Sequence, residues 1–219
     1  MKPIIDKLLS CCLMGIIRMP RYEYPAEVAR ALKDGGLQVL EFTLSGEGAL
    51  HAIELARHAL PRQVFLGAGT VLNPGDVNDA RSAGAEFIVT PTLSIPVIEA
   101  CQRHDLPIVC GALTPTEIFT AMQAGADLVK LFPARLGGAQ YLRDLLAPLP
   151  GVKLVPTGGV TSENAQSYLE AGAVAVAIGG SLVDPQLVIQ RKFFEISERG
   201  RRCVEAVARY KSTRGENHS

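Results

Sequence analysis

Short runs of apolar and β-branched residues recur along the chain at intervals of roughly 25 residues, the length of one β-strand plus a crossover helix. We predict eight strands from these runs, at 13–19, 39–44, 64–71, 87–90, 107–113, 128–132, 153–157 and 174–178. Strands that alternate with helices along a whole sequence are typical of an α/β fold with a parallel sheet.

The segments between these runs begin and end with helix signals. Asn73 and Thr114 each precede a proline, and Thr114 has the spacing to Glu117 that forms a capping box. Predicted helices also end in glycine, the residue that most readily adopts the left-handed conformation after a last helical turn. These glycines are Gly36, Gly84, Gly125 and Gly172.

Eight such units predict a single (β/α)8 TIM barrel with an extra N-terminal helix, over residues 1–212, followed by a flexible C-terminal tail at 213–219. A doubly wound open sheet is the structural alternative. In a barrel, side chains alternate between the interior and the helix layer. Glu41 and Thr43 are therefore expected to point inward, and Phe42 outward.

The charge balance limits the kinds of partner. Lysine plus arginine and aspartate plus glutamate number 22 each, so no basic field is available for nucleic acid, and an anionic ligand needs a local site. The apolar run at 8–17 is too short to span a membrane and has no small-x-small cleavage pattern. Five cysteines without a C-x-x-C pair or metal-ligand spacing predict a reduced, cytoplasmic protein without a metal site.

Lys130 is the only charged residue in the apolar run at 128–134. A buried ammonium group is costly unless it is neutralised or paired. A lysine neutralised by burial can attack a ketone and form a Schiff base. The alternatives are a side chain that reaches solvent at the strand end, or one that pairs with a core carboxylate.

Glu41 is a second lone charge in an apolar predicted strand, and the alternation points it inward together with Lys130. A carboxylate beside an amine can move the protons that carbinolamine, imine and enamine formation require. A buried salt bridge that only fixes the strand register is the structural alternative.

Two glycine-rich segments follow the last two predicted strands. Gly158 and Gly159 follow the seventh, and Gly180 and Ser181 follow the eighth. Backbone N–H groups exposed by glycine, together with a hydroxyl, can hold a phosphate, and barrels usually bind phosphate at this place. Turn formation alone is the alternative.

Polar residues also end other strands. The hydroxyls of Thr70, Thr90 and Thr157 could bond a substrate carboxylate or ketone without adding charge. Arg18, at the end of the first strand, could supply a positive charge for a carboxylate. An exposed arginine at a strand end is the alternative for Arg18.

Five segments, in this order, resemble the 2-keto-3-deoxy-6-phosphogluconate (KDPG) and 4-hydroxy-2-oxoglutarate (KHG) aldolase family. They are Glu41-Phe42-Thr43-Leu44, Gly67-Ala68-Gly69-Thr70-Val71-Leu72, Val129-Lys130-Leu131-Phe132-Pro133-Ala134, Pro156-Thr157-Gly158-Gly159-Val160 and Gly179-Gly180-Ser181. The resemblance spans nearly the whole chain. It implies a homotrimeric (β/α)8 class I aldolase without metal or organic cofactor, because the protonated imine nitrogen is the electron sink.

The resemblance also implies a role for each candidate residue. Lys130 would form the Schiff base, and Glu41 would be the general acid and base. The pyruvyl pocket would be lined by Arg18, Thr70, Pro91 and Thr157, with Phe132 beside the imine, and the phosphate would be bound by Gly158, Gly159, Gly180 and Ser181. The implied reaction is reversible cleavage of a 2-keto-3-deoxy-6-phospho sugar acid to pyruvate and glyceraldehyde 3-phosphate. Cleavage of 4-hydroxy-2-oxoglutarate to pyruvate and glyoxylate is a further implied reaction.

The chain departs from the family pattern in three places. Ser45 stands where many members have an arginine. The related 2-keto-3-deoxy-6-phosphogalactonate aldolases also lack that arginine, so we expect the change to affect the substrate more than the chemistry. The segments at 90–92 and 110–112 replace the usual S-P-G and P-G, which predicts a pocket reshaped for a different aldehyde half.

Two other functions stand against the aldolase. A phosphosugar epimerase or isomerase barrel would use the phosphate site without an imine, and a non-catalytic barrel would bind a phosphometabolite without turnover. The presence of both Lys130 and Glu41 favours an enzyme.

Overall fold

Each predicted run contains one strand of the computed structural model, which describes residues 2–216. The strands are β1 (Leu13–Ile17), β2 (Val39–Thr43), β3 (Phe65–Gly69), β4 (Phe87–Val89), β5 (Ile108–Ala112), β6 (Leu128–Leu131), β7 (Leu154–Pro156) and β8 (Val176–Ile178). Every strand is shorter than its apolar run, since the last residues of several runs already belong to the loops that carry the candidate site.

Helices alternate with these strands as predicted. They are α1 (Pro3–Cys11), α2 (Pro25–Asp34), α3 (Ala49–Ala59), α4 (Pro74–Ser82), α5 (Ile95–Arg103), α6 (Pro115–Gln123), α7 (Gly138–Leu146), α8 (Ala165–Glu170), α9 (Pro185–Ile189) and α10 (Phe193–Glu216), with a 3-10 turn at Ala134–Leu136. The Thr114 and Glu117 capping box is confirmed, because each side chain bonds the other residue's backbone N–H. The four helix-ending glycines are all left-handed.

The strands form one parallel sheet in the order β7-β6-β5-β4-β3-β2-β1-β8. A parallel bridge between Thr157 and Ala177 joins the two outer strands of that order, so the sheet closes on itself. The predicted (β/α)8 barrel is confirmed, and an open doubly wound sheet is excluded because such a sheet keeps two free edges.

Two buried clusters lie on opposite sides of the barrel wall. Val39 and Leu128 belong to the interior cluster, whereas Phe42 and Val129 pack in the outer cluster against the helices. The predicted alternation is therefore confirmed. The extra helix α1 adds apolar side chains to the interior cluster: Ile4, Ile5 and Leu8. Because α1 precedes β1 and contributes to this cluster, we infer that it closes the N-terminal mouth of the barrel and leaves the C-terminal mouth to the site.

The structure describes only part of the predicted tail at 213–219. Helix α10 runs to Glu216, and residues 217–219 lie outside the described residues. Within the described part of the chain, no helix is both long enough and apolar enough to cross a bilayer. In the same part, no group of three or more His, Cys, Asp or Glu side chains could hold a metal ion.

Candidate active site

Lys130 lies inside the barrel on β6, paired in register with Gly111 of β5 and Val155 of β7. It is only 1% exposed, so the side chain does not reach solvent. The Nζ atom lies 5.2 Å from the centroid of the Phe132 ring, within the range of a cation–π contact. The ion pairs found among the described side chains of residues 2–212 do not include Lys130. Both structural alternatives for this lysine are therefore wrong.

Glu41 is fully buried on β2 and faces the same interior, between Ile16 of β1 and Gly67 of β3. Its carboxylate packs so closely on Gly69 that a β-carbon there would overlap Oε1. Neither carboxylate oxygen has a hydrogen-bond partner among the described residues. Glu41 and Lys130 therefore form no register-fixing salt bridge. Because an unpaired buried carboxylate destabilises a fold, its presence indicates a chemical role.

A cavity of about 350 Å³ lies at the C-terminal ends of β7 and β8. We call it the glycine-rich cavity. Seven predicted binding residues line it: Arg18, Phe132, Thr157, Gly158, Gly159, Gly180 and Ser181. Thr161 and Pro185 line it too. Neither residue was predicted from the sequence, although each lies close to a glycine-rich segment. Because Lys130 is next to Phe132, the cavity adjoins the buried amine.

Two glycines of this cavity, Gly158 and Gly159, are required by backbone geometry. Gly158 and Gly159 have φ angles of 85° and 87°, which side chains other than hydrogen rarely allow. A β-carbon on Gly158 would lie 3.0 Å from the Phe132 ring, and one on Gly159 would lie 2.6 Å from Cβ of Arg135. No atom of the described residues lies within 4 Å of the corresponding position on Gly180, so the cavity is open on that side.

Thr70 lies in a neighbouring groove of about 460 Å³, together with Ser45, at the ends of β2 and β3. Thr70 has a φ angle of 58°, and its hydroxyl is buried without a hydrogen-bond partner among the described residues. A strained residue with an unsatisfied hydroxyl is typical of a functional position. Ser45 donates a hydrogen bond to Thr43 Oγ1 at 3.2 Å. The structure thus places Thr70 and Arg18 in two separate hollows of one barrel mouth.

Pro91 packs on Gly111, the register neighbour of Lys130, and a β-carbon on Gly111 would overlap the Pro91 backbone. The hydroxyl of Thr90 fixes this contact. It accepts a hydrogen bond from the Gly111 N–H at 2.9 Å and donates one to the Thr92 carbonyl at 2.8 Å. Thr90 was expected to contact the substrate, but its hydroxyl instead bonds the backbone that positions Pro91.

Tyr22, which was not predicted as a site residue, joins the ends of β1 and β2. Its hydroxyl oxygen lies 2.8 Å from the carbonyl oxygens of Ile17 and Thr43. Burial raises the pKa of Tyr22, and the negative charge of Glu41 raises it further, whereas its hydrogen bonds to Thr43 lower it. The phenol is therefore protonated at neutral pH and can donate. A tyrosine in an irregular loop carries no sequence signal for this role.

Comparisons with known proteins agree on one family. A family model described as KDPG and KHG aldolase matches residues 4–198. The 2-dehydro-3-deoxy-phosphogluconate aldolase of Haemophilus influenzae is 34% identical over 206 residues, which cover 93% of this chain and 96% of that protein. The 2-dehydro-3-deoxy-6-phosphogalactonate aldolase of Escherichia coli is 34% identical over 153 residues, or 69% of this chain and 75% of that protein.

A solved structure gives a chemical comparison. KDPG aldolase from Legionella pneumophila, with pyruvate captured as a covalent carbinolamine intermediate, superposes with a TM-score of 0.83 at 29% identity. The alignment covers 90% of this chain and 96% of that protein. A carbinolamine is the adduct that forms when an amine attacks the ketone of pyruvate.

Proposed function

The chain belongs to the KDPG and KHG aldolase family, which makes it a carbon–carbon lyase, and from this premise we propose a substrate and a role for each site residue. The substrate is a 2-keto-3-deoxy-6-phospho sugar acid. Cleavage between C3 and C4 gives pyruvate and glyceraldehyde 3-phosphate, and 4-hydroxy-2-oxoglutarate is a second substrate that gives pyruvate and glyoxylate. One observation carries the proposal: the barrel interior buries an amine and a carboxylate that do not pair.

Lys130 begins the reaction as the nucleophile. Its unprotonated Nζ attacks C2 of the keto acid, and loss of water from the carbinolamine gives a protonated imine. Glu41 removes the proton of the C4 hydroxyl, the C3–C4 bond breaks, and its electrons move to the imine as an enamine. The aldehyde leaves, Glu41 returns the proton to C3, and hydrolysis of the imine releases pyruvate. In this proposal the aromatic ring of Phe132, whose centroid lies 5.2 Å from Nζ, packs beside the imine.

The remaining residues bind and orient the two ends of the substrate. In this proposal the pyruvyl half contacts Arg18 and Thr157 on the side of the glycine-rich cavity and Thr70 on the side of the neighbouring groove, and Pro91 packs beside it. The phosphate is held by the backbone of Gly158, Gly159 and Gly180 and by the hydroxyl of Ser181. These roles are supported by the cavity that these glycines share with Arg18, and by the unsatisfied hydroxyl of Thr70.

The direct test traps the imine. The protein is incubated with pyruvate, reduced with borohydride, and mapped by mass spectrometry for an adduct on Lys130. Lys130→Arg is the matched control, because arginine keeps the charge but cannot form that imine. A folded protein that yields no adduct contradicts the proposal, and turnover that survives in Lys130→Arg favours an epimerase.

The galactonate-series substrate is a second candidate, favoured by Ser45 in place of arginine and by the similarity to the phosphogalactonate aldolase. The two sugar acids differ in configuration at C4, the carbon released as the aldehyde. Pyruvate release from both C4 epimers, each with and without phosphate, measures the preference.

We also propose a cytoplasmic homotrimer, on the strength of the family resemblance. The substrates are small keto acids and aldehydes. Analytical ultracentrifugation of the full chain tests the trimer, and a monomer or dimer at working concentration contradicts it. Cell fractionation tests the compartment.

A further inference from the structure

The glycine-rich cavity, which is the proposed phosphate site, is short of positive charge. Arg18 is the one lysine or arginine among the described residues that line it. A phosphate ester carries a charge of about −1.5 to −2 at neutral pH, and the chain as a whole has a formal net charge of zero. A second cation beside the glycine-rich segment would therefore strengthen phosphate binding, since overall charge contributes no attraction.

Arg135 lies beside that segment. It follows β6 in the 3-10 turn Ala134–Leu136, and its backbone N–H donates a hydrogen bond to the Gly158 carbonyl at 3.0 Å. Its aliphatic stem crosses Gly159: the Cβ, Cγ and Cδ atoms lie 2.6, 3.4 and 3.4 Å from the β-carbon position that Gly159 leaves open. Any side chain on Gly159 would collide with this arginine, so the glycine lets the stem of Arg135 pack against a residue that lines the cavity.

The guanidinium group of Arg135 is also available. The residue is exposed, and among the described side chains of residues 2–212 neither a salt bridge nor a side-chain hydrogen bond engages it. A guanidinium presents a fork of N–H donors that matches two phosphate oxygens. Arg135 thus has a guanidinium group without a partner and an aliphatic stem that packs on Gly159. It is suited to bind an anion that Gly158 and Gly159 hold.

We propose that Arg135 is a phosphate-binding residue of this chain, and that it sets a preference for phosphorylated over unphosphorylated substrates. This inference rests on the proposed phosphate site. The guanidinium closes over the outer phosphate oxygens, while Gly158, Gly159 and Ser181 hold the inner ones.

Substrate kinetics test the preference. Arg135→Gln keeps most of the side-chain length and removes the charge, whereas Arg135→Lys keeps the charge. For the phosphorylated sugar acid, we expect Arg135→Gln to raise KM about tenfold with little change in kcat, the effect of one lost charge-assisted hydrogen bond. KM for 4-hydroxy-2-oxoglutarate should change less than about twofold, and Arg135→Lys should restore most of the affinity. Equal changes for both substrates, or none, overturn the inference.

Arg62→Gln is the matched control, because Arg62 is exposed in the loop before β3, at the opposite end of the barrel. It should leave both KM values unchanged. Inorganic phosphate provides a readout that does not need turnover: titration calorimetry should show phosphate binding about tenfold weaker in Arg135→Gln than in the unsubstituted protein. If phosphate binding is weaker in Arg135→Gln but the unsubstituted protein turns over no keto acid, the role of Arg135 is supported and the proposed function is rejected. Equal or absent phosphate binding in both proteins would reject that role whatever the activity.

Discussion

The carboxylate of Glu41 lies directly against the α-carbon of Gly69 on the neighbouring strand β3. The buried carboxylate is therefore held by packing rather than by hydrogen bonds, since neither of its oxygens has a partner among the described residues. Because neither oxygen is hydrogen-bonded to a described residue, both are available for proton transfer. The close contact with Gly69 fixes their position.

Gly69→Ala should displace Glu41 and reduce kcat by at least about a hundredfold, because a small misplacement of a proton-transfer group is costly. Overpacking should also lower the free energy of unfolding by about 1 to 3 kcal/mol. Steady-state kinetics and urea unfolding measure the two effects. Gly75→Ala in α4 is the control, since nothing lies within 4 Å of its β-carbon position. Similar kinetics for the two variants would show that the Gly69 contact does not position Glu41.

Lys130→Met should abolish imine formation and lower kcat by at least about a thousandfold, because the nucleophile is lost. The same change should leave the melting temperature equal or higher, since an apolar side chain replaces an unpaired buried amine. Scanning calorimetry and pyruvate release measure the pair of effects. Lys153→Met, at an exposed position before β7, is expected to change neither. A large fall in melting temperature for Lys130→Met would mean that Lys130 supports the fold.

The capping box of α6 should make stability depend on pH. Hydrogen bonds from the backbone of Thr114 and Leu113 and from the Thr114 hydroxyl lower the pKa of Glu117. A lowered folded-state pKa contributes stability above the unfolded value near 4.5, and this contribution is lost as pH falls through the folded value. Glu117→Ala should therefore cost about 1 kcal/mol at pH 7, and less at pH 3.

Urea unfolding at both pH values measures that difference, with Glu99→Ala on the exposed face of α5 as the control. If Glu117→Ala lowered the free energy of unfolding equally at pH 7 and at pH 3, the stabilisation by the capping box would not depend on the charge of Glu117.

Two buried cysteines should resist alkylation. Burial raises the pKa of Cys101 to about 12 and that of Cys203 to about 11, so neither thiol forms a thiolate at pH 8. Iodoacetamide at pH 8 should label both residues in urea but not in the native protein, as peptide mapping can show. The two protonated thiols contribute fully to stability below pH 9, the ordinary pKa of a thiol. This contribution is lost as pH rises through their raised folded-state pKa values. Rapid native labelling at either position would show that the site opens.

The strands and helices could be predicted because their signals are local. An apolar run, a capping box such as Thr114 with Glu117, and a left-handed glycine such as Gly125 each act over a few residues. The period of two along a strand likewise placed Glu41 and Lys130 on the inner face without knowledge of their partners. The glycine-rich segments after β7 and β8 could be assigned to one cavity because both follow neighbouring strand ends.

Other parts of the site carried no local signal. The Tyr22 hydroxyl bonds the Thr43 carbonyl, which is 21 residues further along the chain. Arg135 contacts Gly158 and Gly159, which are 23 and 24 residues further along. No sequence motif therefore joins either residue to its partners. Thr90 has a hydroxyl at a strand end, as a substrate contact would have. The close approach of β4 and β5 instead directs this hydroxyl to the backbone of Gly111 and Thr92.

By itself, the sequence determined the order of the eight βα units, the inward position of two lone charges and the family to which the chain belongs. Only the tertiary structure decided that Glu41 and Lys130 remain unpaired, that Thr70 and Arg18 lie in separate hollows, and that Arg135 packs on Gly159 of the glycine-rich cavity. The physical reason is that periodicity and capping are set by neighbours along the chain. Distances between side chains on different strands depend instead on barrel closure and on the packing of glycine against residues far away in sequence.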